Sequence, residues 1–152
     1  MMFAVVRLRG TPGLSRKVRD TLQMLRLKAV NNCVLVPETP DYKGMLEVVK
    51  HTITWGEIDK ETLVELLKKR LRLKGSKKFT EEDLKRITGY GFEELAEALL
   101  AGKVKIKDFP QLQPVFRLTP PSKGLKSVKE FYPKGDLGYR GKAINELLKR
   151  MI

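Results

Sequence analysis

Phe3-Ala4-Val5-Val6-Arg7-Leu8-Arg9, continued by Gly10-Thr11-Pro12-Gly13 and Leu14-Ser15, decides how the rest of the chain is read. The apolar run, with its paired valines, reads as a buried strand whose end turns basic. Glycine and proline then break it, because neither continues a strand comfortably. Ser15 has a side-chain oxygen suited to capping a first helical turn, so a helix is expected from there to about Leu27. On that helix Leu14, Val18, Leu22 and Leu25 fall on one apolar face, while Arg16, Arg19, Gln23 and Arg26 form a separate basic stripe. Asp20 lies off the line of that stripe.

Cys33-Val34-Leu35-Val36 reads as a second strand, ended by Pro37 and Pro40. A helix is expected from about Asp41 with Met45, Leu46 and Val49 inward, and Thr52-Ile53-Thr54-Trp55 as a third strand. The order β-α-β-α-β predicts an α+β core over residues 1–58, two layers deep, with helices on a small sheet. Residues 59–152 then read as an extension. Asp59 caps a helix carrying Leu63, Leu66 and Leu67, and Thr80-Glu81-Glu82-Asp83 resembles a capping box ahead of Leu84 and Ile87. Phe92 to Leu100 is a short helix closed by Gly102. Pro114 to Leu118 is a late strand, followed by a basic loop rich in proline and glycine. A last helix starts near Lys142, with Ile144, Leu147 and Leu148 inward.

The charge narrows the partner. Across 152 residues, 31 Lys and Arg face 18 Asp and Glu, a net charge of +13. Uncompensated like charge repels the folded state, so this excess calls for a polyanion or a membrane. No apolar run approaches the roughly 20 residues of a spanning helix, and the apolar start has neither the length nor the basic leader of a signal peptide. Nucleic acid is the economical partner, in a cytosolic setting. The excess is also uneven: residues 1–58 carry +4, residues 59–102 only +1, and residues 103–152 carry +8. The two ends are therefore expected to face the polyanion.

These residues, taken in order, resemble a known family. Arg7-Leu8-Arg9-Gly10, Ser15-Arg16-Lys17-Val18-Arg19, Leu25-Arg26-Leu27, the run Val30 to Pro37, and Lys43-Gly44-Met45 are similar to large-subunit ribosomal protein number thirty. The short bacterial form would end near Glu57. Trp55-Gly56, Tyr90-Gly91-Phe92-Glu93-Glu94-Leu95, Pro114-Val115-Phe116-Arg117-Leu118, Pro120-Pro121 and Ile144-Asn145-Glu146-Leu147-Leu148 match the long archaeal form, whose eukaryotic counterpart is numbered seven. The resemblance spans essentially the whole chain. It implies a ferredoxin-like core, a structural and non-catalytic place in the large subunit, and contact with large-subunit ribosomal RNA (rRNA). It also implies neighbouring ribosomal proteins as partners, a single copy per subunit and no cofactor. One departure is Pro121-Ser122-Lys123-Gly124, where the family often has Pro-Arg-Gly-Gly; lysine lacks the bidentate fork of arginine.

The candidate RNA-binding residues are Arg7, Arg9, Thr11, Arg16, Lys17, Arg19 and Arg26 near the start, and Lys123, Lys126, Lys129, Lys134 and Arg140 near the end. The plainer reading of the first group is a solvated helix face. The second group is set among Gly124, Gly135, Gly138, Phe131, Tyr132 and Tyr139, where glycine lets phosphates approach and aromatics can stack on unpaired bases. The plainer reading there is a basic tail without order of its own, and the segment is expected to gain order from phosphates. Gly10-Thr11-Pro12-Gly13 fits the GxxG string of the KH module but joins a strand to a helix, so it reads as a turn; it has no Gly-Lys-Ser/Thr for a nucleotide phosphate. His51 is the only histidine and Cys33 the only cysteine, which leaves no multi-histidine or cysteine metal cage and no disulfide. Cys33 reads as a small buried hydrophobe. The acidic run Glu81-Glu82-Asp83 suits a helix N-terminus rather than a metal. A non-ribosomal RNA chaperone or assembly factor would leave a similar footprint.

Overall fold

β1 (Met2–Arg7) lies at the centre of a five-stranded sheet, and all six of its residues are buried. A strand covered on both faces has no need of polar alternation, which is why its apolar run is continuous. The structure is a computed structural model and describes residues 2–152 apart from 11, 74, 76, 79 and 128. β1 pairs antiparallel with β2 (Asn32–Pro37), Phe3 opposite Val36, and with β3 (Ile53–Glu57), Phe3 opposite Glu57. Two short strands complete the edges. β4 (Phe116–Arg117) is antiparallel to β2, and β5 (Gly138–Tyr139) is parallel to β3, giving the order β4-β2-β1-β3-β5. The architecture is α+β with a ferredoxin-like open sheet.

The period of two along β1 divides the core. Phe3 and Val5 face α1 (Arg16–Met24) and α2 (Pro40–Val48), packing with Leu22, Leu25, Leu46, Val34, Val36, Ile53 and Trp55. Met2, Ala4 and Val6 face the opposite way, toward α3 (Lys60–Arg70), α4 (Glu81–Thr88), α5 (Phe92–Leu100) and α6 (Ile144–Met151). Leu63, Leu66 and Leu67 of α3 have no accessible surface, and each such burial stabilises by roughly 1.5–3 kcal/mol. Residues 1–58 thus form two layers, and the later helices add a third on the far face of the same sheet.

The helix signals act at the residues that carry them. Ser15 accepts from Val18 N–H at 3.4 Å, and Asp59 accepts from Thr62 N–H at 2.7 Å. Thr80 and Asp83 form a reciprocal capping box, so the acidic run serves the start of α4. Gly56 has a different cause. A Cβ there would stand 1.9 Å from the Gly141 carbonyl oxygen, so only glycine lets the turn before α6 close on β3.

The basic loop is tied to the rest of the fold at several points. Its end forms β5, and its middle is held by the buried Asp136 carboxylate, which accepts from the backbone N–H groups of Lys126 and Ser127. Arg150 of α6 donates to the carbonyls of Ser122 at 3.2 Å and Gly124 at 2.9 Å, fastening the beginning of the loop. These bonds are all made within the protein. Among the described residues no helix is long and apolar enough to cross a membrane.

Candidate nucleic-acid interface

The chain turns at the end of β1 bring several basic segments to one end of the sheet. Arg9 N–H donates to the Thr52 carbonyl at 3.2 Å, which sets the Arg9 turn beside the turn that enters β3. Asn31 N–H donates to the Arg7 carbonyl at 2.8 Å and Leu118 N–H to the Asn31 carbonyl at 3.1 Å, adding the turns before β2 and after β4. His51, in the turn before β3, meets the ring of Phe131 with centroids 5.1 Å apart, and Lys50 Nζ lies 5.8 Å from the same ring. The C-terminal loop therefore joins the same end.

The sequence-selected cations divide into two kinds. Arg9, Arg16, Lys17, Arg19, Arg26, Lys123, Lys126, Lys129 and Lys134 are exposed. Arg7 and Arg140 are buried, 3% and 7% exposed. Thr11 lies outside the described residues. Unlike the other cations expected to face RNA, Arg7 and Arg140 have their guanidiniums engaged within the protein. Arg7 is in phase with Phe3 and Val5, so the pleat carries it under α1, where Nε donates to the Arg9 carbonyl at 2.9 Å and Nη1 to the Leu27 carbonyl at 2.7 Å. Burial lowers its pKa from the ordinary arginine value.

Arg140 is the hub of the C-terminal loop. Nε donates to Thr54 Oγ1 at 2.8 Å, and Nη2 donates to the Asp136 carbonyl at 2.7 Å and to Asp136 Oδ1 at 3.1 Å. Its Cζ sits 5.3 Å from the centroid of the Tyr132 ring. Burial lowers its pKa and the Asp136 carboxylate opposes that shift. The exposed lysines of the loop are thus presented by a scaffold whose own charge pair is internal.

On α1 the basic stripe stands clear of the apolar face that holds Leu22. Arg16 approaches Asp20 at 3.8 Å, a pairing the line of the stripe did not suggest. The two side chains are 90% and 62% exposed, so water screens the contact and it holds little energy. Arg26 is the unusual member. It follows the helix with φ 63°, the left-handed conformation usually given to glycine, and Leu27 N–H closes back on the Leu22 carbonyl at 2.9 Å. Tyr139 is half exposed and donates to Glu57, which pushes its phenol up to about 12. Tyr132 and Phe131 are also exposed on this edge of the sheet.

Fold and surface together define a basic α+β scaffold: an open sheet with exposed cations on α1, its neighbouring turns and the C-terminal loop, and two buried arginines that hold the backbone of those loops. The family described as Ribosomal protein L30p/L7e matches residues 3–53. The Large ribosomal subunit protein uL30 of Archaeoglobus fulgidus is 54% identical over 151 residues, covering 99% of both chains. Those of Methanococcus maripaludis and Thermofilum pendens are each 50% identical, covering 100% and 99% of both chains. The chain belongs to the L30p/L7e family of ribosomal proteins.

Proposed function

We propose that this protein is a structural constituent of the large ribosomal subunit in the cytoplasm, bound to large-subunit rRNA through exposed basic side chains and set among neighbouring ribosomal proteins as a single copy. The observation that carries the reading is 54% identity along 99% of the chain to a protein named for that subunit. The net charge of +13 and the exposure of α1 and loop cations support the same partner. In this reading Arg9, Arg16, Lys17, Arg19, Arg26, Lys123, Lys126, Lys129 and Lys134 attract phosphates, while Arg7 and Arg140 act through the backbone they hold. The protein contributes position and charge neutralisation, with no chemical step of its own.

Purified large subunits sedimented through high salt test the assignment. A subunit constituent stays with the particle, whereas an RNA chaperone or assembly factor washes off. A paired substitution separates folding from binding. Leu22→Ala is expected to cost about 2–5 kcal/mol of stability, since Leu22 is 2% exposed and its truncation leaves a cavity. Arg19→Ala is expected to change stability by less than about 0.5 kcal/mol and to weaken rRNA binding. Equal destabilisation by both would show that the faces of α1 are misassigned.

A further inference from the structure

We propose that Arg70, Arg72 and Arg117 form a second anion site, apart from α1 and the C-terminal loop, that holds adjacent phosphates of an RNA backbone. These three arginines, with Gln113 and Val115, line a cleft of about 160 Å³ that contains no carboxylate. Among the described residues none of the three is ion-paired, in contrast to Arg16, Arg86 and Arg140. Arg70 and Arg72 are half-buried and Arg117 is exposed, so the guanidiniums are partly desolvated yet reachable.

Hydrogen bonds to backbone carbonyls frame the cleft. Arg70 Nη1 donates to the Arg117 carbonyl at 3.3 Å, and Arg72 Nη1 to the Leu71 carbonyl at 3.0 Å. Gln113 N–H donates to the Arg72 carbonyl at 2.9 Å, and Arg117 is fixed opposite Asn32 of β2. A guanidinium has five N–H donors, so one carbonyl bond leaves most of the fork open. Helix-dipole stabilisation explains cations in the last turn of α3, Lys68, Lys69 and Arg70. It does not explain Arg72 and Arg117, which lie outside that helix. Three converging positive charges repel one another unless a concentrated negative charge lies between them, and arginine is the residue best shaped for phosphate.

The cleft lies at the β4 edge of the sheet. β4 and β5 are opposite edges of the sheet, four strand spacings apart, or roughly 19 Å at about 4.8 Å each. A phosphate bound beside β5 cannot also fill this cleft. The site rests on the RNA-binding reading above.

The test uses the full chain carrying Arg70→Gln, Arg72→Gln and Arg117→Gln, beside wild type and an Arg16→Gln, Arg19→Gln variant, each titrated with large-subunit rRNA over a range of salt. The slope of log affinity against log salt is expected to fall by about two to three in the triple variant, near one per phosphate lost. Arg117→Gln alone, at an exposed position, should lower it by about one even if the triple variant folds poorly. Unchanged slopes in both, alongside a reduced slope for the α1 variant, would overturn the cleft and leave the RNA reading intact. Wild type that does not bind the rRNA overturns both. Loss of binding to a polyglutamate peptide with an unchanged RNA slope would assign the cleft to an acidic protein segment and overturn the proposal.

Discussion

Arg26 occupies a conformation that costs a side-chain-bearing residue roughly 1–2 kcal/mol, at the position after a helix where glycine is the usual solution. Glycine would remove that strain but add about 0.5–1 kcal/mol of chain entropy in the unfolded state. The strain is the larger of the two. Arg26→Gly is therefore expected to raise stability by about 0.5–1 kcal/mol in urea unfolding while weakening rRNA binding, because the exposed guanidinium is lost. A variant less stable than wild type would show that the arginine side chain is needed for the fold. Cys33 gives a second residue-scale expectation. Its thiol has no accessible surface and burial pushes it up to about 12 from 9.0. A pKa raised by folding contributes stability that is complete below the unfolded value and is lost as pH rises toward the folded one. Between pH 9 and 10 wild type is expected to lose about 1 kcal/mol more than Cys33→Ala. Parallel losses across that interval would mean the thiol is not shielded as described.

Among the elements, the segment from Lys123 to Arg140 shows most clearly what sequence patterning omits. Asp136 and Arg140 face each other with side chains only 4% exposed, and the same carboxylate holds the backbone of Lys126 and Ser127. Removing one partner leaves the other charged and buried, so Asp136→Ala is expected to cost about 3–5 kcal/mol. Hydrogen exchange should show protection of residues 123–140 in the free wild-type protein and its loss in Asp136→Ala. Rapid exchange throughout the segment in free wild type would restore the view of a loop ordered only by RNA. Read along the chain, Asp136 and Arg140 are two charges in a glycine-rich basic stretch, and no periodicity reveals that they meet under β3. The helices were legible because their signals are local: Ser15, Asp59 and Thr80 cap the turns that follow them. β5 was not, since two residues owe their strand pairing to β3, more than eighty positions earlier.

At the scale of the whole molecule, regional charge totals point to the two ends of the chain and pass over the arginine cleft. Residues 59–102 sum to only +1, yet folding brings Arg70 and Arg72 from that nearly neutral region to Arg117 on a distant strand. The pleat likewise places Arg7 inside, in phase with Phe3 and Val5. What remained visible in the sequence was the excess of positive charge and the motif order that marks the family. Neutralisation of phosphates by exposed cations is what is expected to bind this protein to large-subunit rRNA. It is tested most directly by affinity for that rRNA measured between about 50 and 200 mM salt. With the nine exposed cations selected from the sequence on α1, the neighbouring turns and the C-terminal loop, the expected loss is about 10³–10⁵-fold across that range. An affinity that changes by less than about tenfold would contradict the account.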